Sequence, residues 1–404
     1  MSCCRPCASR FKAARGRQAV RVSAVSEFGR LPEAMWDICF PGEVENLRYY
    51  QACAAARPAQ THVRALIANG TQRPEAVAPL FRMEYALHTS IQDGWLGAAM
   101  RRLDRRFPRL FRLPMLGLGS PFAERCHCGF PPDMDEADRL RAADRLLDLL
   151  ERQAHLENIG LTVIKDIHED DLPAFRPHLL ARGYTRMSSL PVAVLHLPYA
   201  TFDDYLASLS RSTRKDMKRK LRDAANVEIE YRHDISDIGD EIFALYEQTR
   251  LESPSDYGDF EQLPADYFTR VVAALAPRAF CVCYRIDGVL AAFNLLMVEE
   301  DRVIDKFLGM NYPLARTHDL YFISWMENVR YCIANGKTRL QTGQGTFANK
   351  LRLGSVLEPM HNYFRHRSPM LNAMLRAISP LLGFEELDPS LQAARRPAPG
   401  RVQA

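Results

Sequence analysis

No uncharged apolar run in this 404-residue chain approaches the ~20 residues that a spanning helix needs. The candidate run from Gly288 to Val298 is only a buried strand's worth, so no membrane-spanning helix is expected. The ten cysteines follow no disulfide framework, which excludes a small stapled secreted scaffold. Cys4 and Cys7 form a C-x-x-C, and Cys126-His127-Cys128 offers ligand types. Neither has the paired spacing of a zinc module, so no metal site is expected. Cys281 and Cys283 point the same way along an apolar run and read as core. No short-period repeat is present. The N-terminus holds arginines without an apolar stretch, which is not a secretory signal and makes a cytoplasmic location the expectation. Lysine is scarce, eight of 53 basic residues. Any Arg cluster must therefore be weighed against a general Arg excess, whereas each lysine stands out.

What remains is 47% hydrophobic and 25% charged residues, the balance of a folded chain long enough for two domains. A net charge of +4 is far from a histone-like excess, so an anionic partner has to be met by local patches. Residues 1–19 lack periodicity and read as frayed, and Glu385 to Ala404 reads as a disordered tail. The expected units are 20–198, 199–368 and an apolar segment with the tail at 369–404.

The second half is the clearer. Val227 to Tyr231 alternates as a strand, and two helical stripes follow, one through Ile238, Ile242 and Leu245 and one through Phe268, Val271, Val272 and Leu275. Ala279 to Arg285 turns through Asp287-Gly288 into Val289 to Val298, and a second turn leads into Arg302 to Met310. A loop from Asn311 to His318 feeds a long helix bearing Phe322, Trp325, Met326, Val329 and Cys332, stopped at Asn335-Gly336. Thr338 to Thr342 reads as a strand, Thr346 to Leu353 as a short helix, and Leu357 to Arg365 as a last strand. The strand–long helix–strand step needs a crossover, so its two strands should be parallel. The first half echoes this order: a hairpin of Thr61 to Ala68 and Ala76 to His88, a strand at Leu110 to Leu118, a helix at Ala137 to Glu157, a strand at Leu161 to Lys165, a helix at Leu172 to Ala181 and a strand at Leu190 to Leu197.

This order over 226–366 resembles the GNAT acyltransferase superfamily, and the doubling is similar to its Fem-type and peptidoglycan-biosynthesis-related members. The likeness is carried by Ser210 to Arg219, by Lys306-Phe307-Leu308-Gly309-Met310, by Gly343-Gln344-Gly345 with Lys350, and by Phe364-Arg365-His366. It implies an α/β (α+β) fold of two tandem GNAT-like domains. Each would have a mixed, mostly antiparallel sheet with a splayed parallel strand pair flanked by helices. The pyrophosphate signature Q/R-x-x-G-x-G/A is absent where the long helix opens. Leu314 to Asp319 stands there instead, leaving room for an acyl carrier other than CoA.

Two parallel strands that splay leave N–H and C=O groups unpaired, and a pantetheine arm can satisfy them as an added strand would. The phosphates beyond the arm meet the crossover helix N-terminus, near Arg316 and Thr317, with Asp319 as the expected N-cap. Arg316 either holds phosphate or sits on a solvated loop. Gly309, Gly343 and Gly345 are expected beside the arm. Amide formation needs a neutralised amine, a polarised carbonyl and a proton for the thiolate. Asp305, which alternation places on the face of Val303 and Phe307, is the expected base; the competing reading is a cross-strand ion pair with an Arg. His318 is the second candidate base. The resemblance assigns Tyr321 as the acid and turns Lys350 toward the cleft, where the alternative is an exposed charge. Gln344 either donates to the acyl oxygen or belongs to a tight turn.

Arg211 to Arg222 holds seven basic residues and one acid, with Ser212 or Thr213 as a cap. Arg211, Lys215, Lys218 and Arg222 fall on one helical stripe, and Arg211, Arg214 and Lys215 are the expected contacts to an anionic substrate; a solvated face is the alternative. Leu96 to Leu113, with six Arg among Phe107, Leu110 and Phe111, and the apolar Met370 to Phe384 both suit a membrane surface, though either could be core. The expected reaction is acyl transfer from a thioester, acyl-CoA as co-substrate, onto a primary amine. The acceptor is expected to be a long-chain lipid amine at the cytoplasmic membrane face, as in ceramide-type N-acylation. Fem-type transfer from charged tRNA and a non-catalytic module on the same scaffold are the alternatives, and DNA is not an expected partner.

Overall fold

The computed structural model describes residues 25–56, 61–70, 73–86, 99, 102–107, 112–168, 175–253, 262–381 and 391. The segments 1–19 and 392–404, Cys4 and Cys7, and parts of 96–113 and 370–384 lie outside them. The strands are β1 Val25–Ser26, β2 Thr61–Asn69, β3 Pro74–Ala86, β4 Arg112–Leu118, β5 Leu161–His168, β6 Thr185–Ser188, β7 Val192–His196, β8 Glu228–Arg232, β9 Ala279–Ile286, β10 Val289–Val298, β11 Arg302–Met310, β12 Arg339–Thr342, β13 Val356–Glu358 and β14 Met360–His366. The helices are α1 Glu33–Asp37, α2 Leu47–Ala55, α3 Glu136–Leu156, α4 Phe175–Ala181, α5 Phe202–Ser208, α6 Arg211–Asp223, α7 Gly239–Glu252, α8 Tyr267–Leu275, α9 Tyr312–Thr317, α10 Leu320–Ala334, α11 Phe347–Arg352 and α12 Pro369–Ile378. None of the described helices is long and apolar enough to cross a membrane.

Two seven-stranded sheets result, ordered β1-β2-β3-β4-β5-β14-β6 and β8-β9-β10-β11-β12-β7-β13. Each is antiparallel except for one pair made parallel by a crossover helix, β4 with β5 and β11 with β12. The tandem GNAT-like architecture is therefore present. The sixth strand of each sheet comes from the other half. β7, read from the sequence as the end of the first unit, pairs with β12 and β13. β14, read as the end of the second, lies between β5 and β6. The single strand expected from Leu357 to Arg365 is thus two strands in different sheets. Thr185–Ser188 is a strand that the sequence did not announce, and the expected loop after β11 contains α9, capped by Asn311, whose side chain accepts from the Leu314 N–H.

Amphipathic patterning sets the layers. α3 packs its Ala143, Leu147 and Leu150 against the outer face of the first sheet. α5, α6 and α10 cover the outer face of the second. Between the sheets one core joins Trp36, Tyr50, Phe81, Phe268 and Phe293, and Cys281 and Cys283 belong to it. Helices α2, α7 and α8 contribute to this middle layer.

A bulge resets β11. Leu295 faces Phe307 while Leu296 faces Asp305, so Lys306 is the extra residue. Val303 lies toward α10, whereas Phe307 turns to the middle core against Tyr267 and Phe268. The expectation that Asp305 and Phe307 share a face fails for this reason: strict alternation cannot survive an inserted residue. Gly309 lies under the Phe293 ring, and a Cβ there would also stand 2.9 Å from the Tyr246 backbone nitrogen. Gly309→Ala is expected to destabilise the fold by ~1–3 kcal/mol through overpacking, measured by urea unfolding.

Candidate active site

β11 and β12 pair only from Arg302 with Arg339 to Asp305 with Thr342. Beyond that point they part, and a cavity of about 440 Å³ runs through the gap. It is lined by Phe307 from the middle layer, by Tyr321 and Trp325 of α10 on the far face, and by the Gly343 to Thr346 loop between. The cavity therefore crosses the second sheet at its splay. Its remaining wall is the inward face of the first sheet, where Phe81, Met115, Leu161, Val163 and Phe364 make it apolar, with Leu375 of α12 at one edge.

Asp305 is the last β11 residue before the splay. Asn294 Nδ2 donates to one carboxylate oxygen at 2.9 Å and Asn328 Nδ2 to the other at 3.0 Å. Among the described residues no Arg pairs with it, so the expected cross-strand ion pair is not seen there. Burial pushes the Asp305 carboxyl up to about 7, against the two amides and the positive charge of Lys350. Tyr321 Oη is buried with no hydrogen-bond partner, and burial together with the Asp305 charge raises its pKa further above the ordinary value. Lys350 is 7% exposed and donates to the Gly343 carbonyl. Burial pulls its ammonium down to about 8, against the pull of Glu124 and Asp305. A base near 7, an amine near 8 and an uncommitted phenol thus meet in one cleft, the components of proton transfer at neutral pH.

Of the residues expected from the sequence, Asp305, Tyr321, Gln344, Gly343, Gly345 and Lys350 line this cavity. Gln344 Nε2 donates to the Leu190 carbonyl at 2.8 Å, tying the loop to the first half rather than facing an acyl oxygen with both hydrogens free. Gly309 packs under Phe293 instead of beside the arm, because the bulge turns it to the core. Arg316 is exposed, 3.7 Å from Glu252 and over the Tyr312 ring. Thr317 Oγ1 donates back to the Pro313 carbonyl at 3.0 Å, and His318 closes α9; none of the three lines the cavity. Asp319 sits at the α10 N-cap in the left-handed region at φ 54°, but its carboxylate pairs with Lys220 instead of capping. Arg211, Arg214 and Lys215 stand on α6, outside the cavity, and Ser210 rather than Ser212 or Thr213 caps that helix. Phe364 lines the cavity from the first sheet.

Sequence reasoning missed Glu124, which reaches in from the first half, accepts from Gln341 Nε2 at 2.9 Å and lies close to Gly343. Nothing periodic marks it. It also missed the clamps Asn294 and Asn328, although a signal existed: each is a lone amide in an otherwise apolar stripe. Buried Lys306 holds Glu45 at 2.6 Å, and Glu45 in turn lies 3.3 Å from His127. The other ring nitrogen of His127 is 2.6 Å from Tyr50 Oη, so both nitrogens are engaged.

Three solved structures are similar to the chain to differing degrees. FemX aligns with a TM-score of 0.51 at 12% identity, over 80% of this chain and 92% of that one. A tandem GNAT protein from the clavulanic acid biosynthesis pathway gives 0.46 at 12% identity, over 80% and 88%. L-PGS from Bacillus licheniformis gives 0.43 at 10%, over 82% and 92%. At 12% identity FemX speaks for the fold alone, and nothing is built on the two lower scores. No curated protein matches the chain. Residues 211–351 match the family described as "Acetyltransferase (GNAT) domain", a stretch that begins at α6, contains the splay and stops before β13 and the exchanged β14. That stretch is built around the cleft, so the part of this chain that holds the site is similar to a GNAT acetyltransferase domain.

Proposed function

We propose that the chain transfers an acyl group from a pantetheine thioester, acyl-CoA being the simplest such donor, onto a primary amine carried by a long apolar chain at a membrane face, as in ceramide-type N-acylation. The observation that carries this reading is the cavity itself, polar where the strands part and mostly apolar along the first sheet, where Lys165, Asp166 and Asn362 are the polar exceptions. Asp305 takes a proton from the incoming ammonium. The free amine attacks the thioester carbonyl, and the Lys350 ammonium faces the oxyanion that forms. As the tetrahedral species collapses, the C–S bond breaks and Tyr321 Oη protonates the departing thiolate. Asp305, having passed that first proton to water, takes the second proton from the nitrogen as the amide forms and hands it to Tyr321, so that one proton is released per turnover. Arg316, Thr317 and His318 have no part in these steps.

Two features support the lipid acceptor. α12 leaves Met370 77% and Met374 53% exposed while its Leu375 lines the cavity. The helical turn at 102–106 exposes Leu103 and Phe107 among Arg102, Arg105 and Arg106. An apolar wall suits a polar cell-wall precursor poorly, which sets the Fem-type alternative second. A mass-spectrometric screen of palmitoyl-CoA against alkylamines of rising length and against cell-wall precursors tests the reading. Turnover is expected to rise with amine chain length, and absence of thioester consumption with every amine overturns it. Val163→Trp, which fills the apolar wall, is expected to lower kcat/KM for a long-chain amine about tenfold or more while sparing a short one, since each excluded methylene is worth ~1 kcal/mol.

A further inference from the structure

The splay gives a thioester arm a way in, but the anchor for the far end of CoA is taken. At the start of α10 the Asp319 carboxylate stands beside the N-terminus, paired with Lys220 and 3.9 Å from Arg219, so the nearest cations are already engaged. A pyrophosphate there would have to compete with Asp319 for Lys220 and Arg219. Beside this entrance lies α6. Asp216 ties it to Arg352 of α11 at 2.7 Å, and Lys220 ties it to α10, so α6 bridges the helices that carry Lys350 and Tyr321. Those inward charges are compensated. On the outward side Arg211, Lys215, Lys218 and Arg222 are all exposed, and among the described residues no acid pairs with them. Their spacing of i, i+4, i+7 and i+11 lays four cations along a straight line of ~17 Å.

Building on the proposed thioester chemistry, we infer that this face of α6 docks a small acidic carrier protein, which presents the acyl group on a pantetheine arm to the β11–β12 splay. One acidic helix laid along α6 matches the line charge for charge, and such pairing governs encounter more than it adds contact area. Nucleic acid fits less well, because α6 has no aromatic side chain on which a base could stack. A lipid surface also fits less well, because the one methionine of α6, Met217, is buried. CoA thioesters carry the same arm without the protein that would be recognised.

The test compares palmitoyl-CoA with a palmitoylated acyl carrier protein as donors to one long-chain amine, for the wild-type chain and for Lys218→Glu/Arg222→Glu. The carrier-bound donor is expected to give a kcat/KM about tenfold higher at low salt, falling steeply as salt rises. The double variant, with unchanged thermal unfolding, should lose that advantage through KM and keep palmitoyl-CoA turnover within about twofold. If palmitoyl-CoA is consumed but the carrier gives no advantage, or the variant affects both donors equally, the docking inference is overturned and acyl transfer stands. Binding of bulk tRNA to the same stripe, abolished by the double variant while carrier turnover persists, overturns it as well. Consumption of neither donor with any amine overturns the underlying reading.

Discussion

Asp305→Asn is expected to lower kcat by about 10²–10⁴ without unfolding the chain, because it removes the general base and leaves the cleft otherwise intact. The two clamping amides explain the second half of that statement. Asn294 and Asn328 both donate to the carboxylate, and an Asn at 305 keeps one acceptor for them. The pH profile gives the sharper reading. With Asp305 at about 7 and active when ionised, kcat/KM should climb through an acid limb near 7. Lys350, at about 8 and useful when protonated, should bring it down again above 8. Lys350→Met should remove the alkaline limb alone. Stability moves in the opposite sense to the acid limb. A carboxyl raised in the folded state keeps a proton that the unfolded chain has already released, so stability falls as pH rises from the ordinary carboxylate range toward 7. Asp305→Asn should flatten that fall, measured by thermal unfolding at pH 5 and pH 8. Turnover within threefold of wild type would remove Asp305 from the mechanism.

The largest stability effect is expected at Lys306. Its ammonium and the Glu45 carboxylate are both almost wholly buried. Burial disfavours the Glu45 charge, but Lys306 and His127 hold the carboxyl below its ordinary value, so the pair is ionised. Lys306→Met leaves Glu45 as an uncompensated charge between the two sheets and should cost ~3–5 kcal/mol in urea unfolding. The double change Lys306→Met/Glu45→Gln should recover much of it, since the unpaired charge is gone. A single mutant as stable as the double would mean that Glu45 escapes to water or takes up a proton. The pair matters for function because it fixes the bulge residue. Lys306 is the inserted position that ends regular pairing just as β11 leaves β12, with Asp305 beside it.

The local grammar of the chain was legible before any coordinates. Asp287-Gly288 marked the β9–β10 turn, the alternation of 279–310 marked three strands, and the apolar stripe from Phe322 to Cys332 marked the crossover helix. Together these placed Asp305 at the splay, while Tyr321 and Lys350 were brought to the cleft only by the likeness to the GNAT superfamily. Such features follow from side-chain period and turn chemistry, which act over a few residues and are written in the sequence directly. Which strands become neighbours is not written there. Val192–His196 and Met360–His366 read as ordinary strands of their own halves, yet each completes the other half's sheet. Period two tells which face a residue takes and nothing about the partner. The bulge at Lys306, the clamps from Asn294 and Asn328, and the arrival of Glu124 are likewise decided only when distant elements pack, because each depends on what stands opposite. The sequence alone determined that two α/β units exist and that the second contains one parallel pair joined by a crossover helix. Tertiary packing decided that the cleft opens through that sheet onto an apolar wall lent by the other, and so how large and how greasy a substrate it can hold.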